Sequence, residues 1–137
     1  MVVGAEEKLF VQQRAAGKDL YPGLYEPGCA GVVLVGESYE QTARRELAEE
    51  LGIKDVVLHF AFDFYQETGV NRVWGRVFCC RWQSDVLLQD EEVAWGGFMG
   101  QAEIAELQAQ HVLTPDGMHI ISRLGSSRSF LKGIAHE

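Results

Sequence analysis

Long apolar runs are missing from this sequence. No stretch of about 18 residues is free of polar and charged side chains, so no membrane-spanning helix is expected. The opening MVVGAEEKLF has no basic segment followed by an apolar one, so no signal peptide is read there. Positive charge is scarce: 12 Lys and Arg stand against 20 Asp and Glu, for a net charge of -8. That balance excludes a protein that grips nucleic-acid phosphates, which needs a basic footprint. It does not exclude a phosphorylated small molecule, because a bound cation can bridge carboxylates to phosphate oxygens. The three cysteines, Cys29, Cys79 and Cys80, have neither metal-ligand spacing nor an even-numbered disulfide framework, so a reducing cytoplasm is the expected compartment. Repeats and low-complexity segments are absent as well. What is there, 137 residues of which 47% are hydrophobic, suits one domain with a modest core.

The chain is organised around residues 31–53, GVVLVGESYEQTARRELAEELGI. The second half reads as a helix. Ser38 and Gln41 have the spacing of a capping box, Ala43, Leu47 and Leu51 make a narrow apolar face, and Gly52 supplies a left-handed stop. The polar side is unusual. Glu46, Glu49 and Glu50 stand at i, i+3 and i+4, so three carboxylates crowd one turn and repel, and Arg45 offsets only part of that. A solvated helix face carries such glutamates often. A second explanation is a hard divalent cation, Mg²⁺ or Mn²⁺, which takes oxygen ligands.

The wider spacing decides between them. The stretch matches G-x5-E-x7-R-E-U-x-E-E-x-G-U, with U aliphatic, at Gly31, Glu37, Arg45, Glu46, Leu47, Glu49, Glu50, Gly52 and Ile53. This is the Nudix box, and the sequence resembles the Nudix hydrolase family. The resemblance implies metal-dependent hydrolysis of a nucleoside diphosphate, or a related diphosphate, linked to some group X. Carried onto this chain, it makes Glu46, Glu49 and Glu50 the metal shell, with the Ala30 carbonyl adding an oxygen. Arg45 would orient the glutamates by pairing with Glu37 or Glu49, and one box glutamate would act as base. A further carboxylate from outside the box is expected at Glu92, with Glu91 as second choice. The homodimers common among small family members imply a possible homodimer here.

Two rivals are weighed. LFVQQR, KDLYPG and VWGRVF are similar to the branch nearest isopentenyl diphosphate isomerases, which use a cysteine just before the box glycine and a histidine just after it. Those positions hold Ala30 and Val32, and Cys29, one residue early, is expected to turn its thiol to the other face of a strand. A diphosphate-binding module without catalysis would be expected to carry a degenerate box, and this one is intact.

Outside the box, residues 9–13 read as a strand, and 14–28 as a long loop carrying Lys18, Tyr21 and Tyr25, the candidate substrate contacts, with Trp95 a further aromatic hint. Residues 31–36 read as a short apolar strand. Residues 56–65, with Phe60, Phe62 and Phe64 on one face, and 72–82 read as an antiparallel pair joined by a turn at Gly69 and Asn71. Residues 93–99 make another strand, 102–108 a short helix, and Thr114-Pro115 opens a last helix with Met118, Ile121 and Leu124 inward. Strands flanked by helices give an α/β (α+β) class: an α/β/α sandwich on a mixed, largely antiparallel sheet, which the resemblance also implies. Only Val2 and Val3 precede the first turn, so the domain, residues 1–137, is expected to lack part of its first strand. The strand LFVQQR would then expose an edge and invite self-association.

Overall fold

Adjacent residues of a strand face opposite ways, and three such pairs locate both cores. Val3, Leu9 and Cys79 join a cluster with Ile104, Leu107, Leu113, Ile121 and Leu124, whereas Val2, Phe10 and Cys80 join one with Leu47, Leu51 and Ile53. A sheet therefore lies between two helical layers, as the α/β/α reading expects. The structure is a computed structural model that describes residues 1–69, 71–89 and 91–125. Asp90 of the acidic run and the weakly patterned tail after Ser126 lie outside the described residues.

In chain order the elements are β1 (Val2–Val3), a turn of 3-10 helix (Ala5–Glu7), β2 (Leu9–Arg14), β3 (Tyr25–Pro27), α1 (Tyr39–Leu51), β4 (His59–Thr68), β5 (Asn71–Arg81), β6 (Val93–Met99), α2 (Gln101–Ala109) and α3 (Pro115–Gly125). The sheet runs β3-β2-β1-β5-β4, with β6 also paired to β2. The β1–β5 pair is parallel and the other strand pairs are antiparallel. Among the described residues no helix is long and apolar enough to cross a membrane.

Four expectations change. The edge expected along LFVQQR is closed: β6 pairs with all of β2 on one side, while β1 at Leu9 and β3 at Val11 to Gln13 share the other. Residues 31–36 form no strand. Their polar groups turn to α1 and its cap instead, with Arg45 donating to the Val32 carbonyl and Glu37 accepting from the Leu34 amide, and Val32 and Val35 stay exposed. The loop 14–28 contains β3, a strand too short to show a period. The first hairpin strand starts at His59, and a register shift between Phe60 and Phe62 breaks the single aromatic face: Phe62 and Phe64 meet α3, while Phe60 lies under Arg76 on the α1 side.

The helices follow local rules. Ser38 accepts from the Gln41 amide while Gln41 reaches back to the Ser38 amide, and Gly52 ends α1 in the left-handed region. The buried residues of α1 are Thr42, Leu47 and Leu51, with Ala43 only half-buried. Each fully buried leucine contributes roughly 1.5–3 kcal/mol. Thr114 caps α3 through its hydroxyl, which accepts from the Gly117 amide.

Candidate active site

Three neighbouring elements set one row of polar side chains on the α1 face of the sheet. Gln12 of β2 is directly opposite Glu26 of β3 and Gly96 of β6. Gln12 Nε2 donates to Glu26 Oε1 at 3.2 Å and to Glu50 Oε2 of α1 at 3.3 Å. One amide thus ties two carboxylates together under the helix. Arg14, two residues along β2 and on the same face, stands 3.5 Å from Glu26. Gly96 keeps the row open at its other end, since a Cβ there would fall 2.5 Å from the Phe10 ring.

Burial and crowding govern the electrostatics. Glu50 is pushed up to about 7, first by burial and then by Glu46 and Glu26, with Gln12 and Lys18 acting in the opposite direction. Glu26, only 9% exposed, is raised by burial against the pull of Arg14 and Lys18. Burial likewise raises Glu46. Lys18 lowers all three carboxyl groups, so it faces the cluster from the loop between β2 and β3.

Arg45 forms the second half of the site. It holds Glu37 through Nε at 2.8 Å and Nη2 at 3.1 Å, Glu46 at 2.8 Å and Glu49 at 3.4 Å. It therefore pairs with both glutamates expected for it and with Glu46 besides. Hydrogen bonds from Arg45, Thr42 and the Leu34 amide hold Glu37 down to about 2. Gly31 lets the chain pass close to Glu46: a Cβ there would lie 2.3 Å from its carboxylate, which would have to shift. The chain at Gly31 thus passes directly against this glutamate.

Among the described residues no three His, Cys, Asp or Glu side chains draw together into a ready-made cation cage. The separation has a cause. Glu46 and Glu49 lean on Arg45, whereas Glu50 leans on Gln12. The donors nonetheless fit a hard divalent ion: Glu26, Glu46 and Glu50 are carboxylates whose mutual repulsion a cation relieves.

The other sequence candidates divide. Glu92 is ion-paired with Lys18, and its carbonyl accepts from the Ala15 amide, so it straps the loop to the start of β6. Glu91 is exposed beside it. Tyr21 sits in the left-handed region (φ 50°) at the tip of that loop. Tyr25 needs correction as a substrate contact. The alternation that puts Glu26 beside Glu50 sends Tyr25 to the opposite face, where it packs edge-on against Trp95 at 6.2 Å over the α2–α3 core. Cys29 needs the reverse correction. Residues 28–31 are not strand, and the thiol packs on the α1 side within the field of Glu50, Glu46 and Glu26, its pKa raised first by burial. Sequence reasoning missed Glu26 and Gln12, whose only signal is a polar residue in an otherwise apolar strand pair.

Known proteins resemble this arrangement. A model of the NUDIX domain matches residues 1–117. The uncharacterized Nudix hydrolase SCO1686 of Streptomyces coelicolor is 38% identical over 125 residues, covering 90% of this chain and 69% of that protein. The uncharacterized Nudix hydrolase YPO2781 of Yersinia pestis is 38% identical over 115 residues, covering 84% of this chain and 62% of its own length. The chain thus spans about two thirds of these relatives. The fold matches the crystal structure of DR0079 from Deinococcus radiodurans with a TM-score of 0.79 at 20% identity, over 89% of this chain and 77% of that one. With the box, its helix and the sheet that supports them, the chain belongs to the Nudix domain family.

Proposed function

We propose that this protein is a divalent-cation-dependent hydrolase that cleaves the diphosphate linkage of a nucleoside diphosphate, or a related diphosphate, joined to a group X. The observation that carries the proposal is the Glu26–Gln12–Glu50 linkage beside Glu46: carboxylates of β3 and α1 tied by one amide of β2, raised by burial and, at Glu50, by the neighbouring Glu46 and Glu26. Isolated carboxylates under a helix would be destabilising without a cation to hold.

Glu46, Glu49 and Glu50 of the box, the Ala30 carbonyl and Glu26 are the proposed ligands of Mg²⁺ or Mn²⁺. When bound, the ion supplies charge neutralisation on the diphosphate and acidification of the attacking water. The chain does the rest. Arg45 holds Glu46 and Glu49 in place and is itself fixed by Glu37. Gln12 orients Glu50, and one box glutamate, kept ionised, takes the proton of the water. Lys18, held by Glu92 above the carboxylates, is positioned to meet a diphosphate oxygen, with Tyr21 at the same loop tip. Glu92 thus acts through Lys18, and Glu26 takes the ligand role first sought at Glu92.

The test is a panel of dinucleotides, nucleotide sugars, nucleoside triphosphates, coenzyme A and isoprenoid diphosphates, each with Mg²⁺ or Mn²⁺, read by phosphorus NMR. At least one compound should yield two phosphate-bearing products with the wild type and far less with Glu50→Gln. A panel with no cleavage, or a variant as fast as the wild type, refutes the proposal.

A further inference from the structure

The loop that follows β5 folds back over the end of α1 and leaves a cleft of about 480 Å³, the size of a small-molecule site. Glu49 and Gly52 line it on the helix side, Leu87, Leu88 and Gln89 on the loop side, and Lys54 just beyond the helix. Gly52 sets the approach of the two walls, since a Cβ there would lie 3.0 Å from Leu87 Cβ. Leu87 is 71% exposed, an apolar wall left uncovered. Glu49 joins the cleft to the active site, because the same side chain pairs with Arg45 at 3.4 Å, beside Glu46.

Lys54 is the uncommitted group of this cleft. A lysine near a helix C-terminus ordinarily binds the last carbonyls. Here cap and loop amides take them: Ala48 accepts from Gly52, Glu50 from Gln89 and Leu51 from Leu87. Of the three lysines among the described residues, Lys8 pairs with Glu6 and Lys18 with Glu92. Lys54 makes no hydrogen bond or ion pair among the described residues. A cation without a partner, in a chain of net charge -8, is left for an anion from outside.

We infer that the cleft takes group X of the substrate, and that Lys54 selects an X bearing a phosphate ester of its own. The inference rests on the reading above, which puts the diphosphate at Glu46, Glu49 and Glu50. From Glu49 the attached group has the cleft before it. Leu87 and Leu88 suit a weakly polar body such as a nucleobase, the Gln89 side chain its polar edge, and Lys54 the anion. An ammonium is a compact point charge with three donors, which fits a phosphate. Lys18 is committed elsewhere, to Glu92 and the carboxylate cluster.

The test titrates the full chain, with Ca²⁺ in place of Mg²⁺ to slow turnover, against two pairs of diphosphates that differ by one ribose phosphate. The pairs are coenzyme A with dephospho-coenzyme A, and NADP with NAD. Calorimetry reads the affinities, so the outcome does not depend on cleavage, which the substrate panel tests separately. In at least one pair the phosphorylated member should bind about tenfold tighter, the low end for a hydrogen bond to a charged group. Lys54→Gln should bring that ratio to about one. Lys8→Gln, which removes the same charge outside the cleft, should keep it, and thermal midpoints check that both variants fold. Equal affinities within both pairs, or no binding of any member, overturn the inference. So does a Lys54→Gln protein that keeps the preference, or a Lys8→Gln protein that loses it as fully.

Discussion

Replacing Gly31 by Ala tests the site with the smallest change available. The added Cβ would sit 2.3 Å from Glu46 Cδ and Oε1, so the carboxylate has to retreat by about 1 Å to reach ordinary contact. Gly31 has no left-handed φ, so alanine can adopt its backbone conformation and the fold should survive. The retreat removes Glu46 from its 2.8 Å bond with Arg45 and shifts one proposed ligand. Misplacement by about 1 Å in a site of this kind lowers turnover roughly a hundredfold. The assay is steady-state turnover against Mg²⁺ concentration, with thermal unfolding run in parallel. Gly17→Ala is the control, because nothing lies within 4 Å of a Cβ there. We expect Gly31→Ala to fall about a hundredfold in kcat while keeping its thermal midpoint, and Gly17→Ala to change neither. A Gly31→Ala protein with full turnover would show that the position of Glu46 does not matter to the reaction.

Other consequences follow from the same geometry. Glu50→Gln keeps the shape and removes the charge, and should lower kcat about a hundredfold, or roughly 3 kcal/mol of barrier, with the fold intact by circular dichroism. In chelator, the stability should fall as pH rises from about 4.5 to about 7, because Glu50 binds its proton more tightly folded than unfolded. Its contribution, about 2–4 kcal/mol, is fully present below the unfolded value and lost above the folded one. Mg²⁺ should restore it at high pH only, and a thermal midpoint flat across that window would contradict the assignment. Isopentenyl diphosphate should take up no deuterium from heavy water above the buffer blank. Cys29 is a half-buried thiol held protonated, and Val32 stands where the isomerase resemblance calls for histidine.

The parts of the protein that obey short-range rules were legible in the chain. Helix α1 could be read because its cap, its apolar face and its terminal glycine all lie within 15 residues, Ser38 to Gly52. The opposite placement of Cys79 and Cys80 follows from strand alternation alone. Long-range choices were not legible. VVLV reads as a strand by composition, yet its neighbours are Arg45 and Glu37, and their bonds to Val32 and Leu34 hold it as a loop over the helix. Glu26 gained its place only when β3 paired with β2, a register fixed by Val11 opposite Pro27. The same register carried Tyr25 away from the site. A single extra residue near Ala61 moved Phe60 off the face of Phe62 and Phe64, and no composition marks that position.

The central claim is that water attacks phosphorus at a cation held by Glu26, Glu46 and Glu50. The most direct measurement uses whichever compound of the panel turns over fastest, in water enriched in heavy oxygen, with phosphorus NMR of the products. The account predicts that Mg²⁺-dependent cleavage places one heavy oxygen on a phosphate of a single product, and that Glu26→Gln and Glu50→Gln each suppress it. Cleavage that proceeds in chelator, or products whose phosphates carry no label, would contradict it.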